Sequence, residues 1–143
     1  MGNTFIDMNK EFVPYELAVK LKELGFDERC LFAFDNCSTP MRCTDLRTSD
    51  QKFNGVNYNS SSYTSQPTLS QAFRWFREKY ELFHSTNYQD DNSGPGSFDY
   101  EILDKRGKHQ QDDDSPEFDT YEEAELACLT KLIEIVEQQK QTK

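Results

Sequence analysis

A chain of 143 residues with 13% aromatic side chains and a net charge of −10 has the size of one domain with an aromatic-rich core. We therefore predict a single domain over 1–143, with polar loops near 35–66 and 105–118. The charge is concentrated in residues 90–143, which hold fifteen acidic and six basic residues. Such a surface repels the phosphates of nucleic acids and anionic lipids, so it argues against both ligands and favours a basic partner or a divalent cation.

The sequence shows neither a signal peptide nor an apolar run of membrane-spanning length. Its four cysteines lack the paired spacing of zinc sites and of secreted disulfide frameworks: Cys30, Cys37, Cys43 and Cys128. We interpret Cys30 and Cys128 as small core residues. These features predict a cytoplasmic protein that binds no membrane and holds no cofactor or metal ion.

The first helix is predicted over 14–24, because Pro14 suits a helix start and Gly25 suits a helix end. Apolar residues at helical spacing form one face of this helix: Leu17, Ala18, Leu21 and Leu24. A short apolar run at 30–34 follows and predicts a strand. Because this strand is apolar on both faces, we expect it to lie in the centre of a sheet.

Between 35 and 66 the periodicity is weak and polar residues dominate. Either strands lie within this stretch or it is a mobile functional loop, because a structureless loop of this length is uncommon in a compact domain. Its Tyr and Asn residues, with Tyr58 and Tyr63 among them and Tyr88 farther along, suit an adaptable binding surface. Equally, they suit a polar loop whose aromatic rings anchor it to the core.

A second helix is predicted over 69–82, after a capping-box candidate formed by Thr68 and Gln71. One broad side of it is apolar and aromatic. Trp75 lies at the edge of that side, so it serves either as a core residue or, with the neighbouring arginines, as a recognition surface. We favour the core interpretation.

The stretch 84–104 predicts a hairpin, since Phe98, Tyr100 and Ile102 alternate with polar residues. The final helix is predicted over 120–138. Thr120 and Glu123 stand in capping-box spacing before its apolar face. The face consists of Ala124, Cys128, Leu129, Leu132, Ile133, Ile135 and Val136. The order of these elements predicts an α+β fold, a small antiparallel sheet with about three helices packed mainly on one face.

Three segments of the chain stand out: FVPYE at 12–16 with LGF at 24–26, QAFRWFREKY at 71–80, and TYEEAE at 120–125 followed by the apolar run 129–136. Together they resemble a family of small uncharacterised, phage-like proteins of Bacteroides-type gut bacteria and their mobile elements. The middle segment is the most specific. The resemblance implies an intracellular bacterial or phage protein, and it implies no activity and no catalytic residues.

One acidic pair and one acidic triplet, on two predicted loops, suggest a site for Mg²⁺ or Ca²⁺. The pair is Asp90 and Asp91, and the triplet is Asp112, Asp113 and Asp114. The spacing of an EF-hand loop is absent, and adjacent aspartates commonly form a solvated run. A nucleophile–base pair of Cys37 or Cys43 with His84 or His109 has no local motif behind it.

We therefore predict a non-catalytic protein-interaction module of bacterial or phage origin, a monomer or weak homodimer. Its predicted partner-binding residues are Tyr58, Tyr63, Trp75 and Tyr88, with Asp112, Asp113 and Asp114 as a charged rim. The alternative is a small divalent-metal-dependent enzyme that uses loop carboxylates. For a dimer we expect the second helix, near Trp75 and Phe83, to form the contact.

Overall fold

The computed structural model describes four parts of the chain: 8–35, 42–43, 55–111 and 116–142. Backbone contacts divide the chain into two compact units, Met1–Ala72 and Phe73–Lys143. The described residues contain three α-helices and two small antiparallel sheets, which confirms the α+β class. The boundary between the units falls inside the second helix.

The three α-helices lie close to their predicted positions: α1 (Tyr15–Glu23), α2 (Leu69–Tyr80) and α3 (Tyr121–Gln141). A short 3-10 helix, Met8–Glu11, precedes α1 and has no counterpart among the predicted elements. The strands are β1 (Phe32–Asp35), β2 (Arg42–Cys43), β3 (Tyr63–Gln66), β4 (Phe83–Gln89) and β5 (Ser97–Leu103). No described helix combines the length and the apolar character that a membrane crossing requires.

In the first unit, α1 begins one residue later than predicted because Pro14 serves as its N-cap, with an extended ψ of 159°. It ends at Glu23, and Gly25 turns the chain away with a φ of 98°, a conformation that side chains disfavour. Ala18 and Leu21 are buried, and α1 packs against β3.

The first sheet has the order β2-β1-β3, with both pairs antiparallel. The apolar strand β1 is central, as its sequence predicts. β3 lies within the weakly patterned stretch 35–66, so strands do lie in that stretch. Its buried residues are polar, Thr64, Ser65 and Gln66, and this explains why no apolar alternation reveals the strand. Gln66 donates from Nε2 to the carbonyl O of Val13 at 3.1 Å.

The N-terminus of α2 follows its predicted cap only in part. Thr68 Oγ1 accepts from the backbone N–H of Gln71 at 3.1 Å. The side chain of Gln71 does not complete a capping box, because its Nε2 donates to the carbonyl O of Arg29. The helix ends at Tyr80, before Glu81, whose φ is 54°. This left-handed residue breaks the helix two residues earlier than predicted.

In the second unit, β4 and β5 form the predicted hairpin, paired from Phe83↔Leu103 to Gln89↔Ser97. α3 packs against both strands. The seven apolar residues predicted for its inner face are all buried. Thr120 Oγ1 accepts from the N–H of Glu123 at 3.2 Å, which confirms the predicted N-cap. The strands of the chain thus belong to two sheets, because each sheet forms within its own unit.

The outer edge of β5 is covered by residues that follow it in the chain. The backbone N–H of Gln110 donates to the carbonyl O of Ile102 at 2.9 Å. The side-chain amide of Gln111 then takes the place of a peptide group. Its Oε1 accepts from the N–H of Ile102 at 2.9 Å, and its Nε2 donates to the carbonyl O of Tyr100 at 3.3 Å.

The same edge is covered again farther along, where Phe98 and Phe118 exchange two backbone hydrogen bonds of 2.8 Å. The turn that leads out of β5 is closed by Asp104, whose carboxylate accepts from the N–H groups of Arg106 and Lys108. Parts of the predicted polar loop 105–118 therefore protect a sheet edge and are not free loop.

Candidate binding surface at the tip of the hairpin

The predicted partner-binding residues occupy very different environments. Tyr58 and Tyr63 belong to the first unit, and Trp75 and Tyr88 to the second. The triplet of aspartates at 112–114 lies outside the described residues.

The segment 57–65 in the first unit is tied down by its own polar side chains. Asn59 Oδ1 accepts from the N–H of Ser65 at 2.8 Å, and its Nδ2 donates to the carbonyl O of Phe26 at 2.7 Å. Ser65 Oγ accepts from the N–H of Tyr58 at 2.8 Å. These side chains bond to backbone groups of the protein itself and so fix the conformation of the segment.

The backbone groups of the two tyrosines take part in the hydrogen bonds of this segment. The hydroxyl of Tyr58 is buried and has no hydrogen-bond partner among the described residues, so it does not face a ligand. Tyr63 is 41% exposed, and its carbonyl O accepts from Lys22 Nζ at 2.9 Å. Of the two interpretations of the Tyr- and Asn-rich stretch, the structure supports the polar loop anchored to the core.

Trp75 is a core residue, with 2% of its surface exposed. Its ring makes edge contacts with Phe76 and Tyr80 at centroid distances of 5.1 and 5.3 Å. Lys79 Nζ lies 5.1 Å from the ring centroid. This burial supports the core interpretation of Trp75 over recognition, and it leaves the indole without an exposed face for a dimer contact.

Tyr88 has the opposite environment, with 59% of its surface exposed. Its ring centroid lies 5.3 Å from that of Phe98, which lies 6.0 Å from that of Tyr121 at an interplanar angle of 87°. Tyr121, in the first turn of α3, is itself 43% exposed. We call Tyr88, Phe98 and Tyr121 the aromatic row.

The position of the Tyr88 ring depends on Gly96, on the other side of the hairpin turn. A Cβ at Gly96 would overlap the outer atoms of the Tyr88 ring and lie 2.5 Å from the carbonyl O of Gln89. Because only hydrogen fits there, the ring lies across the backbone of the returning strand.

Carboxylates surround the tip of the hairpin. Asp90 and Asp91 follow β4 directly and are exposed. The pKa of Asp91 is lowered by hydrogen bonds from the Ser93 hydroxyl, at 2.6 Å, and from the Ser93 backbone N–H, at 3.1 Å. Its charge therefore persists to lower pH than usual. A polar groove of about 620 Å³ is lined by Gln89, Asp90, Asp91, Asn92, Ser93, Pro95, Ser97 and Glu117.

Cys30, Cys128 and His84 are poorly suited to acid–base or covalent chemistry near neutral pH. Burial raises the pKa of Cys30 to about 12 and raises that of Cys128 as well, so both thiols stay protonated. His84 stacks on Phe73 at 3.7 Å, and burial, with a smaller effect of Arg77, lowers its pKa to about 4. Cys37 and the side chain of Cys43 lie outside the described residues.

In the described ranges, no group of three or more His, Cys, Asp or Glu side chains converges as a metal ion would require. Asp90 and Asp91 line the groove side by side, and one oxygen of Asp91 is already occupied by Ser93. The aspartates at 112–114, the other half of the predicted cation site, are not among the described residues.

The sequence points to Tyr88 and gives no signal for binding at its two ring neighbours. Phe98 alternates with polar residues, which predicts only a position in a strand, and Tyr121 lies in a segment that predicts only a helix start. The available signal for the position of Tyr121 is its helical spacing, since it stands three residues before Ala124 and seven before Cys128 and so begins the apolar side of α3. Comparison of the chain with protein-family models, curated proteins and solved structures gives no match.

Proposed function

We propose that this protein is a non-catalytic interaction module that binds a basic segment of a partner protein at the aromatic row and the acidic hairpin tip. The observation that carries the proposal is the exposure of Tyr88 and Tyr121 on either side of Phe98, next to exposed carboxylates. Monomeric proteins seldom leave clustered aromatic rings in water without a binding role.

The chemistry of this surface suits lysine and arginine. A cation over an exposed tyrosine ring gains about 0.5–1 kcal/mol, and each ring offers a face to such a contact. Asp90 and Asp91 supply negative charge at the same end of the hairpin. The balance of −9 over residues 90–143 steers a basic partner toward this half of the chain and repels nucleic acid.

We propose that the protein works in the cytoplasm of a bacterium and that its gene is of bacterial or phage origin. This part rests on the resemblance of the three helical segments to the phage-like family and on the reducing compartment that the cysteine pattern favours. In this proposal the protein works as a monomer or weak homodimer and binds neither membrane nor nucleic acid.

Binding of a fluorescent peptide of alternating lysine and threonine, about ten residues long, tests the proposal by anisotropy. We expect Tyr88→Ala and Tyr121→Ala each to weaken binding by roughly fivefold to tenfold, as for a ring that contributes about 1 kcal/mol. Tyr63→Ala is the matched control, because Tyr63 is as exposed as Tyr121 and lies outside the row. Equal effects of all three variants would contradict the proposed site.

The alternative of a metal-dependent enzyme is separated from this proposal by thermal unfolding with Mg²⁺, Mn²⁺ or Ca²⁺. An ion present at about 100 times its dissociation constant would add about 2.7 kcal/mol to the free energy of unfolding. We expect the midpoint to stay unchanged. A clear rise that is removed by Asp90→Asn would favour the enzyme.

A further inference from the structure

We infer that the partner binds as an additional β-strand along the free edge of β4. This inference rests on the proposed function and specifies how the basic segment is held. Main-chain hydrogen bonds then provide much of the affinity, and the aromatic row and the acidic tip select the side chains.

The register of the hairpin identifies which backbone groups lie on the free edge. The N–H and C=O groups of Phe98 and Ile102 bond to residues that follow β5, so they point away from β4. In an antiparallel pair such residues oppose positions that also point their backbone groups outward. The opposing positions on β4 are Tyr88, Thr86 and His84.

Six backbone groups, the N–H and C=O of His84, Thr86 and Tyr88, therefore face away from the hairpin. None of them bonds to another described residue. They form a row that alternates with residues bonded to β5, which is the pattern that an incoming strand needs.

The two edges of the hairpin differ in their protection. The edge of β5 is covered by Gln110, Gln111 and Phe118. β4 reads FHSTNYQ and has no proline and no charged side chain, the usual devices that keep an exposed edge from pairing. A seven-residue edge to which no described residue hydrogen-bonds, beside an exposed aromatic row, suits strand addition.

The charges near β4 select the occupant. Asp90 and Asp91 follow the strand directly, and the exposed Tyr88 ring belongs to the end of the strand nearest the hairpin tip. An extended segment with lysine or arginine at this end meets both. Phe83, 42% exposed at the other end of β4, favours an apolar residue there. A second copy of this chain would instead bring another net charge of −10 to the same edge.

Thr86 allows a substitution that tests the backbone alone. Proline is tolerated on an edge strand where its nitrogen faces outward, so Thr86→Pro removes one outward N–H and keeps the hairpin bonds. Thr86→Val is the matched control, because it keeps the N–H and removes only a hydroxyl that is buried without a partner among the described residues.

The lysine–threonine peptide is titrated into both variants and into the wild type, together with a form of the peptide that is N-methylated at alternate residues. We expect Thr86→Pro and N-methylation each to weaken binding at least about tenfold, and Thr86→Val to leave it unchanged. Amide hydrogen exchange on the wild type supplies a second readout. The amides of His84, Thr86 and Tyr88 should gain protection with the peptide.

The outcomes separate the two proposals. If the peptide binds and N-methylation, Thr86→Pro and the exchange of the three amides show no effect, strand addition is wrong and the proposed function stands. If the peptide fails to bind the wild type, the proposed function fails, and strand addition by a basic segment fails with it. If light scattering shows a wild-type dimer that Thr86→Pro makes monomeric, the edge serves a second copy and the basic occupant is wrong.

Discussion

Two polar stretches of this molecule, each with Tyr, Asn and Ser residues, place their side chains in opposite environments. They are the segment 57–65 and the end of the β4–β5 hairpin, which also carries Asp90 and Asp91. In the first, the side chains of Asn59 and Ser65 bond to backbone groups of Phe26, Ser65 and Tyr58. In the hairpin the two strands hold each other through the backbone groups that face across the pair, so side chains such as Tyr88 are not needed for backbone bonding and face water. What decides the role of a polar, tyrosine-rich stretch is therefore where its backbone hydrogen bonds go.

The largest expected effect on stability is that of a substitution at Gly55, two residues before the segment 57–65. Gly55 has a φ of 76°, and a Cβ there would lie 2.8 Å from the carbonyl O of Cys30. We expect Gly55→Ala to lower the free energy of unfolding by about 3 kcal/mol, from backbone strain and the clash together. Gly107→Ala is the control, since Gly107 has a φ of 79° and open space around it. Urea unfolding should show about 1 kcal/mol for that variant, and equal losses would refute the role of the contact.

Asn59→Ala tests the network of the first region directly. It removes the acceptor of the Ser65 N–H, on a buried residue, and one donor to the Phe26 carbonyl O. We expect a loss of about 2 kcal/mol, because the Ser65 N–H would lose its bond and keep its desolvation cost. Urea unfolding measures it, with Asn57→Ala as the comparison, because Asn57 is exposed. A loss below about 0.5 kcal/mol would show that Asn59 contributes as little to stability as we expect of the side chains at the hairpin tip.

His84 provides a pH-dependent test of the second region. Its pKa is lowered to about 4 in the folded protein, against an ordinary value of 6.5, so the unfolded chain binds the extra proton first. Stability should therefore fall as the pH drops from 6.5 toward 4, by roughly 1–2 kcal/mol after discounting for the solvent that reaches this half-buried ring.

The matched variant for this test is His84→Phe, which retains a ring to stack on Phe73 and does not titrate. Urea unfolding of both proteins across this range isolates the contribution of the imidazole from that of the carboxylates. Parallel pH profiles for the two proteins would show that His84 is not held in its neutral form.

The smallest expected effect on stability is that of Tyr88→Ala, within about 0.5 kcal/mol, because its ring is mostly exposed. The same change is expected to weaken peptide binding clearly, so stability and binding separate at this residue. A thermal melt beside the peptide titration measures both. A large loss of stability would make Tyr88 an anchor like the side chains of 57–65 and would remove the contrast.

Much of the fold was predictable where the signal is local. α3 begins at the predicted N-cap and buries the predicted residues, since a capping side chain and an apolar face lie within one helix. α1 is also limited by local residues, Pro14 and Gly25. β3 was not predictable in detail, because its buried side chains are polar and are satisfied by distant parts of the chain, as Gln66 is by Val13.

The candidate surface was predictable only in its composition. The sequence offers Tyr58, Tyr63, Trp75 and Tyr88 as candidates and favours the core only for Trp75, and burial separates the tyrosines, because exposure depends on neighbours that are remote in the chain. The helices, the strand hairpin, the α+β class and the acidic second half follow from the sequence, through periodicity, caps and charge. The tertiary structure decided that the described strands form two sheets, that Tyr88 joins Phe98 and Tyr121, and that described residues cover the edge of β5 while none of them hydrogen-bonds to the outer edge of β4. These features depend on which distant backbone groups find partners, and local patterns do not record that pairing.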